Sequence, residues 1–120
     1  MDYNKTAYKF LSNVFPEVIM QYFTIEGWKE EEGTLHVRLD ERDFLERADR
    51  KSQTVLPHGF TDEKVIQDFP LRGKPVYLHV RKRRWLDRQT GETFTYCYDE
   101  LTAEGTKITL EFVAFLKGED

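Results

Sequence analysis

Cysteine is nearly missing from this sequence: Cys97 is the only one in 120 residues. That excludes an internal disulfide framework and any cysteine-rich zinc site. Long hydrophobic runs are missing too, since no stretch approaches the roughly 20 apolar residues of a membrane span. The opening Met1-Asp2-Tyr3-Asn4-Lys5 has neither the basic start nor the apolar stretch of a signal peptide. A cytoplasmic chain with no membrane partner is expected. Internal repeats, low-complexity segments, Gly-rich phosphate loops and hydrolase nucleophile motifs are all lacking. Two-metal chemistry needs three carboxylates gathered on a larger mixed sheet. The 22 acidic residues fall instead in runs such as Glu30-Glu31-Glu32, Asp40-Glu41 and Asp99-Glu100, at turns where a solvated face is the default. These absences imply a chain that is not an enzyme and needs no cofactor.

What is present describes one globular domain over residues 1–120, with 39% apolar, 33% charged and 14% aromatic residues. The formal net charge of −4 hides an asymmetry. Between Arg72 and Arg88 lie seven basic residues (Arg72, Lys74, Arg81, Lys82, Arg83, Arg84, Arg88) against one acid, Asp87, a local +6 on a remainder of −10. Overall acidity argues against indiscriminate polyanion binding, while a compact basic island can still hold nucleic acid locally.

Residues 1–23 read as helical. Ala7, Tyr8, Leu11, Val14, Phe15, Val18, Ile19 and Tyr22 recur at helical spacing, and Pro16 divides them into helices over Lys5–Val14 and Pro16–Tyr22. Residues 24–98 read as mostly β. Thr24–Glu31 and Thr34–Asp40 flank a turn at Gly33, and Leu35, Val37 and Leu39 alternate with His36 and Arg38. Asp43–Phe60, with few apolar residues and with Pro57 and Gly59, reads as an irregular excursion holding at most a helical turn near Phe44–Ala48. Strands are expected over Val65–Phe69, Pro75–Leu86 and Glu92–Tyr98, with a hairpin loop at Asp87–Gly91. Beyond an acidic connection at Asp99–Gly105, a helix is expected over 106–117, although Ile108, Leu110 and Phe112 also fit a strand. The class is α+β: an antiparallel sheet of about five strands with N-terminal helices and a C-terminal helix.

The long strand carries the functional signal. Val76, Leu78 and Val80 share one face; Tyr77, His79, Arg81, Arg83 and Trp85 share the other. With the first set in the core, the second presents aromatics, an imidazole and two guanidiniums in a row. Guanidinium forks suit phosphate oxygens, and rings stack on bases. Lys82 and Arg84 have inward parity, but the hairpin tip lets them curl out. The bland reading is a charged, solvated edge. Cys97 reads as a packing thiol, and a lone strand histidine such as His79 is more often structural than a base.

The stretch from Val65 to Trp85 (Val-Ile-Gln-Asp-Phe-Pro-Leu-Arg-Gly-Lys-Pro-Val-Tyr-Leu-His-Val-Arg-Lys-Arg-Arg-Trp) resembles a segment of bacterial insertion-sequence transposases. Its pattern there is Ile, an Asp-aromatic/Leu-Pro turn, Gly, a Val-x-Leu-x-Val/Leu strand and an Arg-Arg-aromatic end. It lies in the N-terminal region of transposases that combine a zinc-ribbon-like domain, a helix-turn-helix and an acidic-triad core. In their Aon-type branch this region is a separate short protein. The likeness is specific over 65–85 and loose from Pro16 to Leu116. It implies a degenerate zinc-ribbon-like meander that binds the terminal-repeat DNA of a mobile element beside a separately encoded catalytic core. The expected DNA contacts are Arg72, Lys74, His79, Arg81, Lys82, Arg83, Arg84, Trp85 and Arg88. The sequence departs from the wider family in lacking paired cysteines on either side of the segment. Cys97, His36, His58 and His79 supply no four-ligand spacing, so no zinc is expected. The competing reading is a protein-interaction module that docks on the catalytic core without touching DNA.

Overall fold

A computed structural model of the chain describes residues 3–98 and 108–118. Helices α1 (Tyr3–Val14) and α2 (Glu17–Tyr22) precede the hairpin β1 (Phe23–Glu31) and β2 (Thr34–Glu41). A short α3 (Arg47–Ser52) leads to β3 (Val55–Phe60), then β4 (Lys64–Leu71), β5 (Lys74–Arg81), β6 (Arg83–Asp87) and β7 (Thr93–Phe94). Helix α4 (Leu110–Lys117) follows. The fold is α+β. The acidic connection and the start of the helix expected from residue 106 lie outside the described residues.

The strands form two sheets rather than one antiparallel meander. The first has the order β1-β2-β5-β4, the second β3-β6-β7. Within the first, β2 and β5 run parallel, with Val37 opposite Leu78 and Leu39 opposite Val80. Parallel neighbours need a long crossover, and the excursion after β2, together with β4, supplies it. Strand β5 takes a central place because Val76, Leu78 and Val80 are buried aliphatics. Pro70 of β4 and the charged end of β1 suit the edges, where ladder bonds are unneeded and charge discourages further pairing.

Helices α1, α2 and α4 cover one face of this sheet. Leu11, Phe15 and Ile19 meet Ile25, Val37, Leu39, Ile66, Val76, Leu78 and Val80, and α4 contributes Phe112, Val113, Phe115 and Leu116. Phe23 and Phe112 meet edge to face with centroids 5.8 Å apart. Thr109 caps α4 by accepting from the Phe112 amide at 3.2 Å. The helix ends at Gly118, whose left-handed φ of 79° suits glycine. A Cβ there would also come within 3.1 Å of Cys97 Sγ, although Cys97, expected as a packing thiol, is itself exposed. The opposite face of the sheet presents Lys29, Arg38, Val65 and Gln67, all exposed.

The segment 43–60 is more regular than its composition predicts. Its helix lies at Arg47–Ser52, C-terminal to the expected turn, and its second half is strand β3. Pro57 and Gly59 are tolerated because β3 is an edge strand and the register slips between Pro57 and Phe60. A tertiary contact fixes α3. The Tyr96 hydroxyl donates to Asp49 at 2.6 Å and accepts from the Glu46 amide at 3.1 Å. Burial, and then the bond to Asp49, hold this phenol well above its ordinary range.

The long strand breaks at Lys82. Residues Lys74–Arg81 belong to the first sheet and Arg83–Asp87 to the second, so the expected Pro75–Leu86 element is two strands. The break reverses the parity argument for its second half. Trp85, expected on the solvent face, is 1% exposed and packs beside Tyr96 with Val55 buried nearby.

Candidate nucleic-acid interface

The basic island is largely neutralised within the fold. Arg81 makes a bidentate pair with buried Asp40, at 2.9 and 2.7 Å, and these bonds push its guanidinium further above the ordinary range. The Phe60 ring lies near two guanidinium carbons, 4.2 Å from that of Arg81 and 4.8 Å from that of Arg83. Phe60 belongs to β3, so this stack ties the second sheet to the first. Arg83 also donates from Nε to the Glu41 carbonyl at 3.0 Å and from its backbone amide to Glu41 Oε1 at 2.9 Å.

Lys82 is buried at the turn between the sheets. Its Nζ donates to the Leu116 carbonyl at 3.3 Å and sits 5.1 Å from the Phe115 centroid, a cation at the negative end of α4. Lys74 pairs with Glu30 at 2.6 Å, both half exposed. These positions correct the expectation for Lys82 and Trp85, which are buried and unavailable to a DNA backbone. Arg81, Arg83 and Lys74 have protein partners. The reason is local: the sheet switch at Lys82 turns the densest part of the charge run into a junction between layers.

Glu41 is the acidic centre of that junction. The Tyr98 hydroxyl donates to its Oε2, and Tyr98 packs on Tyr22 with centroids 4.4 Å apart. Desolvation raises the Glu41 pKa, opposed by the bonds from Tyr98 and the Arg83 amide and by the Lys82 and Arg83 charges. A raised folded-state pKa means that the folded chain holds this proton more tightly than the unfolded one. The stability it contributes is therefore full at low pH and declines as pH climbs from the ordinary carboxylate value through the folded one. Glu41→Gln removes that decline. The difference in unfolding free energy, variant minus wild type, should rise with pH across the acid range in parallel urea titrations, and a falling difference would contradict the assignment.

Three of the expected arginine contacts remain outside this network. Arg72 is exposed in the β4–β5 turn, and Arg88 is exposed at the β6–β7 hairpin. Arg84, half-buried, lies on the outer face of the second sheet with Leu56, Leu86 and Thr93, and among the described residues it is held only by a 3.2 Å bond to Thr93 Oγ1. The structure adds cations on the helix whose end meets Arg88. Arg47, Arg50 and Lys51 of α3 are exposed, and none has an ion-pair partner among the described residues. The Thr54 carbonyl accepts from the Arg88 amide at 2.9 Å, which brings the end of α3 against the hairpin loop. Their signal in the sequence is Arg47-Ala-Asp-Arg50-Lys51, cations at helical spacing inside a segment whose composition suggests irregular chain.

His79 sits on the open face of the first sheet. Its Nδ1 faces Glu63 at 3.3 Å, and its Nε2 lies 2.9 Å from His36 Nδ1. Among the described residues no group of three or more His, Cys, Asp or Glu is arranged to hold a metal ion, and no helix is long and apolar enough to cross a membrane. No protein-family model, curated protein or solved structure matches the sequence.

Proposed function

We propose that the chain is a non-catalytic DNA-binding accessory domain of an insertion-sequence transposase, working beside a separately encoded catalytic core in the cytoplasm. One observation carries the DNA contact: Arg84 and Arg88 of the second sheet and Arg47, Arg50 and Lys51 of the neighbouring α3 have no acidic partner among the described residues, while Arg81, Lys82 and Arg83 are held inside the fold. Guanidiniums without an acidic partner suit phosphate oxygens. The acidic remainder of the surface confines a polyanion to that region. The likeness of Val65–Trp85 to the transposase segment supplies the biological setting. Anisotropy titration of a duplex bearing the element's terminal repeat should show saturable binding that weakens steeply with salt. No binding at low salt would remove the DNA reading.

A second reading has its own observation. An apolar groove of about 370 Å³ lies between the α1–α2 junction and the β4–β5 hairpin, lined by Val14, Phe15, Leu35, Phe69 and Leu71 around Asp68. Phe69 is 54% exposed there, as protein-docking surfaces often are. Docking on the catalytic core through this groove is the alternative if DNA is not bound.

A further inference from the structure

The open face of the first sheet holds a feature that duplex contact does not use. A concavity of about 370 Å³ is lined by Gly27, Trp28, Lys29, His36, Arg38, Glu63 and His79, within the roughly 300–1,000 Å³ of small-ligand sites. Two lining rings, His36 and His79, belong to a row of three that continues to Tyr77 outside the lining. His36 and Tyr77 are nearly parallel, 21° apart with centroids at 5.8 Å, and His36 and His79 are 5.1 Å apart. The strand register makes this row, since His36 stands opposite Tyr77 and Arg38 opposite His79 across the parallel pair. Gly27, opposite Arg38 on β1, leaves the depression open: a Cβ there would meet nothing within 4 Å.

We propose that this concavity takes one unstacked nucleotide of single-stranded DNA. The proposal rests on the DNA reading above and deepens it. Rings on an open sheet stack on bases whose faces are free, and those faces are hidden inside a duplex. The charges suit the backbone of such a strand. Arg38 is exposed with no partner among the described residues, and Lys29 is held only by an exposed pair with Glu31 at 3.0 Å. Glu63, 3.3 Å from His79 Nδ1, is the one carboxylate in the lining, and it turns a phosphate toward Arg38 and Lys29. His36 Nδ1 and His79 Nε2 share one hydrogen bond, in which either nitrogen can be the donor.

Titrations of the intact chain with single-stranded DNA, duplex DNA of the same sequence and the matching RNA test this. Gly27→Val fills the depression, and its strand backbone, outside the left-handed region, accepts a side chain. Arg38→Ala removes an exposed, unpaired cation and leaves folding alone. Each should weaken single-strand binding about tenfold, the order expected for removing one base stack or one phosphate interaction, with duplex affinity unchanged. Arg84→Ala with Arg88→Ala should weaken duplex binding and preserve the single-strand defect caused by Gly27→Val. Wild-type affinity for single strands in Arg38→Ala, or in folded Gly27→Val, overturns the proposal, as does tighter binding of RNA than of single-stranded DNA. Loss of duplex binding alone would count against the second-sheet contact and leave this site standing.

Discussion

Trp85→Ala should lower the unfolding free energy by about 3–5 kcal/mol, the usual cost of emptying a large aromatic site in a packed core. Trp85 is among the largest fully buried side chains and sits in the smaller core with Val55, Phe94 and Tyr96, apart from the main cluster under α1, α2 and α4. Because that core is small, few neighbours can collapse into the space. The melting temperature should fall by on the order of 10–20 °C in circular dichroism scans. Trp85→Phe should cost much less, since the indole N–H has no hydrogen-bond partner to lose among the described residues. An unchanged melting temperature together with a loss of DNA affinity would place the indole at the surface and overturn the two-sheet arrangement around it.

Asp40→Ala should cost about 2–3 kcal/mol, the range for hydrogen bonds to a charged group whose partner is left behind. Asp40 is 6% exposed and holds both the Nε and an Nη of Arg81. Without it Arg81 loses the anchor that keeps its guanidinium beside Phe60, and the link between the sheets loosens. Urea denaturation should give a lower midpoint with an unchanged slope, the signature of a less stable but equally compact fold. A loss below about 0.5 kcal/mol, typical of an exposed surface change, would make the pair incidental.

The two halves of the long basic strand show how far the sequence can be read. Up to Arg81 the alternation matches the fold: Val76, Leu78 and Val80 are buried, and Tyr77, His79 and Arg81 face outward. A period of two fixes faces only while the strand stays in one sheet. The switch at Lys82 depends on Asp40, Glu41 and the end of α4, all remote in sequence, so no local pattern announces it. The same limit explains β3. Pro57 and Gly59 argue against a strand unless it is an edge, and edge status is a tertiary property. The N-terminal stripe is legible because Leu11, Phe15 and Ile19 repeat at helical spacing across the Pro16 break and all three are buried. Of the expected contacts, Arg72, Arg84 and Arg88 have the exposure or the lack of acidic partners that a phosphate contact needs. The α3 cations are masked in the sequence because Pro57, Gly59 and a scarcity of apolar residues make their segment look irregular.

The salt dependence of duplex binding tests the central claim most directly. Removing one phosphate interaction lowers the slope of log affinity against log salt by about 0.9. Arg84→Ala with Arg88→Ala should therefore flatten the slope by nearly two such steps, while Arg81→Ala, measured where it remains folded, should leave the slope at the wild-type value. The opposite pattern, with the slope kept by the double variant and flattened by Arg81→Ala, would return the DNA contact to the first sheet and contradict the account.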